Sequence, residues 1–200
     1  DKEACSALKK IIKKVDVPLV ADIHFDYKLA LGSMDNGVSA LRINPGNIGD
    51  AYKAREVAAE AEKMKIPIRI GVNSGSLKKD ILNKYGGVCA KALVESALEH
   101  VRILENVGFY NIVISIKSSD VTQMVESYRE ISGIVDYPLH LGVTEAGTVW
   151  RGTIKSAVGI GTLLMEGIGD TIRVSLTGDP IEEVKAGKEI LKSCGLLKEG

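Results

Sequence analysis

The sequence is short of cysteine, aromatic residues and net charge, and the first and last of these shortages each close off a class of protein. Its three cysteines, Cys5, Cys89 and Cys194, are odd in number, far apart and free of CxxC spacing. They define neither a disulfide framework nor a zinc site, and read as idle thiols. Aromatic residues make up only 4% of the chain. The 26 Lys+Arg are matched by 26 Asp+Glu, which removes the broad positive field that nucleic-acid and anionic-membrane binders use to neutralise phosphates. Any anion site must therefore be local. No apolar run approaches bilayer length, and no basic-then-apolar leader stands at Asp1, so a cytoplasmic protein is expected, with no membrane and no nucleic-acid partner. The 200 residues, 45% of them hydrophobic, suit one domain or part of a larger one.

What is present is a repeat. A helical pattern carrying Leu8, Ile11, Ile12 and Val15 opens the chain, as if it were cut inside a helix. Six short β-branched runs follow: Leu19 to His24, Ala40 to Asn44, Ile68 to Val72, Asn111 to Ile116, Leu139 to Val143 and Thr171 to Leu176. Pro18, Pro67 and Pro138 introduce three of them, at strand entries where no ladder bond is lost. Helical stretches alternate with the runs: Asp26 to Asp35, Asp50 to Lys65, Val88 to Asn106, Asp120 to Val135, Thr153 to Gly167 and Pro180 to Cys194. Gly37, Gly108, Gly133, Gly167 and Gly195 stand at helix ends where positive φ is wanted, and Asp50, Asp120 and Asp179 stand where N-caps belong. Strict alternation predicts parallel strands and an α/β fold, best matched by a (β/α)₈ TIM barrel truncated to about six units and lacking its first two strands. Residues 1–200 are read as one partial barrel with no internal boundary. An unclosed barrel would leave a sheet edge exposed.

Side chains two apart in a strand share a face. Along the C-terminal halves of the strands this pairs Asp22 with His24, Arg42 with Asn44, Arg69 with Asn73, Ser115 with Lys117, and Arg173 with Ser175. Helices cover the outer face, so these polar pairs are expected to point into the barrel mouth. Arg42, Arg69, Lys117 and Arg173 then come from four strands, and burying four cations calls for a multivalent anion, with a diphosphate the natural guess. The alternative is neutralisation by internal carboxylates such as Asp22 and Glu145.

The loops Asn44-Pro45-Gly46-Asn47-Ile48-Gly49 and Asn73-Ser74-Gly75-Ser76 offer backbone N–H groups to phosphate oxygens, although such loops are also ordinary turns. Gly159 and Gly161 lie in a helical pattern without a third fingerprint glycine, and read as close helix packing. Acid–base candidates are Glu145, Asp22 and His24. His24 either orients Asp22 or bonds a ligand, or is a satisfied pocket histidine. His140 and His100 read as structural. Trp150 and Arg151 fall in a loop above the mouth, as a lid or a solvated stretch.

ADIHF at Ala21 to Phe25, RINPGNIG at Arg42 to Gly49, RIGVNSGSL at Arg69 to Leu77, SIKSSD at Ser115 to Asp120, GVTEAG at Gly142 to Gly147, IKSAVGIG at Ile154 to Gly161 and GDTIRVSLTGDP at Gly169 to Pro180 occur in order across nearly the whole chain. Together they resemble the 4-hydroxy-3-methylbut-2-enyl diphosphate synthase family of the methylerythritol phosphate route to isoprenoids. The resemblance implies an oxidoreductase whose TIM-barrel domain binds 2-C-methyl-D-erythritol 2,4-cyclodiphosphate and opens its ring reductively. It further implies a separate C-terminal domain, absent from this chain, with a 4Fe-4S cluster, electrons from ferredoxin or flavodoxin, and a homodimer. Diphosphate contacts are implied for residues matching Arg42, Arg69, Lys117 and Arg173, helped by Asn73 and Ser175, and acidic roles for Asp22 and Glu145. Cys5, Cys89 and Cys194 do not match cluster ligands, so this piece alone is expected to be redox-inert. Other readings are a phosphate-binding barrel of dihydropteroate-synthase-like type, or a non-catalytic binding fragment.

Overall fold

The computed structural model describes residues 1–44, 47–48 and 51–198, apart from the side chains of Ala51 and Ser76. Along the chain run α1 (Lys2–Ile12), β1 (Val20–Ile23), α2 (Tyr27–Asp35), β2 (Ala40–Ile43), α3 (Ala51–Met64), β3 (Ile68–Asn73), α4 (Lys79–Tyr85), α5 (Ala90–Glu105), β4 (Ile112–Lys117), α6 (Val121–Ser132), β5 (His140–Leu141), α7 (Val149–Met165), β6 (Thr171–Ile172) and α8 (Pro180–Ser193). All six expected strands and the seven expected helices are present. The residues group into two compact units, one of Asp1–Gly71 with Leu98–Val113, the other of Val72–Ala97 with Ile114–Gly200.

The first unit carries β1, β2 and the N-terminal parts of β3 and β4 in the order β1-β2-β3-β4. Pairing is parallel, with Asp22 beside Arg42 and Arg42 beside Arg69. Ladder bonds from Leu41 N to Pro67 O (3.1 Å) and from Ile68 N to Asn111 O (3.0 Å) enter through the segments before each strand. Leu41, Ile43, Ile68 and Ile70 are fully buried and alternate with Arg42 and Arg69, so the hydrophobic set faces the core and the cations the opposite side. Asp26 caps α2 by accepting from Lys28 N.

In the second unit β5 pairs β6 in parallel, His140 beside Thr171 and Leu141 beside Ile172. Between β4 and β5 the ladder is interrupted. Ile114 N donates to Pro138 O, but two residues on, Ile116 N donates to the Tyr128 hydroxyl (2.9 Å), which donates to His140 O (2.5 Å). A fully buried tyrosine of α6 thus stands in for a strand-to-strand bond. Gly159 of α7 packs where an added Cβ would lie 2.6 Å from Met124 Cε, which is the close helix packing its sequence suggested.

Several sequence expectations need correction. Trp150 and Arg151 are not a loop but the first turn of α7, which begins at Val149, four residues before the expected Thr153. Thr148, its N-cap residue, makes no side-chain capping bond, so the usual start signal is missing. The structure adds two elements to the expected set, the short helix α4 and the 3₁₀ turn Ser74–Ser76. Strands β5 and β6 are two residues long rather than five and six. Gly133 has φ −85° and ends α6 without a left-handed turn. Pro45, Gly46, Gly49 and Asp50, and with them the first phosphate loop and one proposed cap, lie outside the described residues.

Candidate functional site

The first unit brings three of the expected residues together. In-register parallel pairing sets Asp22, Arg42 and Arg69 side by side on one face, at the strand spacing of about 4.8 Å. Arg42 Nη1 donates to Asp22 Oδ1 at 2.8 Å, and the same oxygen lies 3.5 Å from His24 Nε2. Arg42 is only 14% exposed, whereas Asp22 and His24 are 52% and 60% exposed. The arginine is therefore held and the acid and imidazole are open to solvent. Asn44, just past β2, is buried. Asp22 and His24 also line an otherwise largely apolar cavity of about 450 Å³ with Cys5, Leu8 and Phe25.

Carboxylate neutralisation of a cation, one of the two readings left open by the sequence, thus occurs at Arg42. It covers one guanidinium edge of Arg42, beside which Arg69 lies in register on the next strand.

The second unit gathers the others. Asn73, Ser74, Gly75, Ser119, Thr144 and Glu145 line a cavity of about 300 Å³. Glu145 is exposed and has φ +49°, a conformation that L-residues adopt at a cost and that clusters at ligand clamps. Lys155 Nζ of α7 donates to Ser119 O at 3.2 Å and ties that loop to the helix. Lys117 and Arg173 both meet Gly142, where an added Cβ would lie 3.4 Å from Lys117 Cε and 2.7 Å from Arg173 O. Ile172 and Val174 pack toward Gly187 of α8, and Arg173 between them is exposed.

Sequence reasoning missed Ser119 and Thr144 as cavity-lining residues, although both stand within motifs quoted for the resemblance. His140 is buried, with Nδ1 2.8 Å from Thr171 Oγ1, a structural arrangement. The cysteines do not suit an iron–sulfur cluster. Cys5 Sγ faces Ser33 Oγ and Asn36 Nδ2, Cys194 Sγ faces Gly161 O, and among the described residues no group of three His, Cys, Asp or Glu side chains is placed to hold a metal ion. No helix among the described residues is long and apolar enough to cross a membrane.

Structural likeness reaches a dihydropteroate synthase from Xanthomonas albilineans with TM-score 0.61 and 12% identity, covering 97% of this chain and 73% of that one. At that identity the likeness is one of fold alone. Sequence likeness is far closer. The chain is 72% identical over its full length to the 4-hydroxy-3-methylbut-2-en-1-yl diphosphate synthase (flavodoxin) of Clostridium tetani, 66% to that of Clostridium perfringens and 57% to that of Geobacter sulfurreducens, and spans 57% of each of those proteins. Residues 1–188 match the family model described as the GcpE TIM-barrel domain. With its parallel β/α units and a match over nearly all of its length, the chain belongs to the GcpE TIM-barrel family.

Proposed function

We propose that this chain supplies the diphosphate-binding barrel of an oxidoreductase that converts 2-C-methyl-D-erythritol 2,4-cyclodiphosphate to 4-hydroxy-3-methylbut-2-enyl diphosphate. The observation that carries this reading is the row Asp22–Arg42–Arg69. Two guanidinium groups set in register on adjacent strands present planar, forked donors on one face, the geometry that suits the oxygens of a diphosphate. The names of the relatives supply the anion.

In this reading Arg42, Arg69, Lys117 and Arg173, with Asn44, Asn73 and Ser175, hold the phosphates and fix the ring. Glu145, at the mouth of a cavity lined by serine and threonine hydroxyls, gives a proton to the departing hydroxyl. Asp22 orients Arg42, and His24 stands within reach of Asp22. Flavodoxin or ferredoxin would supply the reducing electrons, and a 4Fe-4S cluster that passed them on would be held by residues outside this chain, in a cytoplasmic homodimer. The cysteines here do not fit that cluster, and the residues of this chain bind, orient and protonate.

Calorimetric titration of the chain with the cyclodiphosphate and, separately, with inorganic pyrophosphate tests the binding role. Preference for the cyclodiphosphate is expected, together with weaker binding by Arg173→Ala by about 1.5–3 kcal/mol, the value of a charge-assisted hydrogen bond. Equal affinity for the two ligands would reduce the site to a generic phosphate binder.

A further inference from the structure

We propose that Gly71 is a positioning residue whose bare α-carbon is the seat on which the Arg42 guanidinium lies. The inference rests on the anion-binding role given above to Arg42. Gly71 follows Arg69 by two residues in β3 and shares its face, while Ile70 and Val72 are buried on the other. A Cβ built on Gly71 would collide with Arg42 Nε and would lie 2.5 Å from Nη2 and 2.6 Å from Cζ. Those three atoms are its nearest neighbours, and all belong to one side chain.

Glycine is not needed here for its backbone freedom. Gly71 is absent from the positive-φ glycines of the chain, so alanine fits its conformation, and in a strand alanine is the more favourable residue. What glycine supplies is room. Asp22 Oδ1, bonded to Nη1 at 2.8 Å, and the Gly71 α-carbon hold the guanidinium between them. A methyl group at residue 71 would move the flexible end of the arginine and leave the strand in place.

The second unit repeats the device, with Lys117 Cε lying over Gly142. There the Arg173 carbonyl also crowds the glycine, so substitution would strain the backbone as well. Gly71 is accordingly the cleaner position to test.

The experiment uses the full-length enzyme and three variants, Gly71→Ala, Arg42→Ala and the double substitution. Each is measured for thermal midpoint and, by calorimetry, for affinity toward the cyclodiphosphate. Gly71→Ala should keep or raise the midpoint yet lose about ten- to a hundredfold in affinity, the range for one charge-assisted bond. Arg42→Ala should lose a similar amount, and the double variant no more than either single one, because both remove the same contact. Native affinity in Gly71→Ala beside a weakened Arg42→Ala would overturn the seat while leaving the anion role of Arg42 standing. Losses that multiply in the double variant, or a Gly71→Ala protein that does not fold, would overturn it as well. Unchanged affinity in Arg42→Ala would overturn both the seat and the role on which it depends.

Discussion

Replacing Tyr128 by Phe removes one oxygen and keeps the ring, so it isolates the hydroxyl that bridges β4 and β5. Its cost follows from the two bonds lost. Ile116 N–H and His140 C=O both lie in the buried interior and each loses this partner. Depriving a buried polar group of its partner costs about 1–3 kcal/mol, with the amide near the middle of that range, about 2, and the carbonyl, which has two lone pairs, at its lower end, about 1. Packing of the ring is retained, so no cavity term is added. The sum is about 3 kcal/mol. For a chain of this size that corresponds to roughly 6–12 °C in thermal midpoint, or about 1 M in urea midpoint at an m-value near 3 kcal/mol/M. Urea unfolding followed by circular dichroism, with the slope m compared between the two proteins, measures it. A loss under about 1 kcal/mol would refute the reasoning, since it would show that β4 and β5 can close directly, Ile116 N to His140 O, and that the tyrosine was not holding them.

Two further outcomes are expected. Glu145→Gly should raise stability by about 1 kcal/mol, because glycine takes a φ of +49° without the penalty an L-side chain carries, while the full-length enzyme with the same change should lose about a hundredfold or more in turnover; unchanged turnover would remove Glu145 from the chemistry. Glu166, whose carboxylate accepts from Arg129 Nη2 and Nε, is held below the usual carboxylate range chiefly by that hydrogen bond. A depressed folded value means that the stabilisation is present above the ordinary glutamate pKa and fades as pH falls through the depressed one. Urea midpoints of the wild type and Glu166→Gln should therefore differ slightly at neutral pH and converge in acid, and a gap that widens in acid would contradict the pairing.

The strands were legible because each is a β-branched run bounded by glycine, proline or a polar loop, and because Arg42, Arg69 and Arg173 break the apolar alternation on one face only. Asp120 and Asp179 announced α6 and α8 by chemistry that the structure repeats, accepting from Gln123 N and Ile181 N. Helix α4 was not legible. Seven residues give under two turns of periodicity, Lys78 offers no cap, and Ile81 alone is buried. The start of α7 was hidden because Val149 and Trp150 are weak helix formers behind a threonine that does not cap. The Tyr128 bridge and the Arg42 seat had no signal in composition. Both depend on which atom of one element reaches the backbone of another, although the position of Gly71 between Arg69 and Asn73 marks it as a gap in a polar face.

Helix α4 has a consequence for how the Glu145 cavity is kept in shape. The turn that forms one wall, Asn73 to Gly75, runs almost directly into this helix. Lys84 and Tyr85 at the end of α4 both donate to Glu95 Oε2. A helix this short has little stability of its own, and exposed ion pairs add little more. The wall is thus continuous with β3 on one side and with a short helix of little intrinsic stability on the other. A ligand that needs the wall closed binds with its intrinsic affinity scaled by the fraction of time the wall is in place. Glu95, which lies on α5 and is not among the residues lining the cavity, is where the end of α4 is tied to its neighbour.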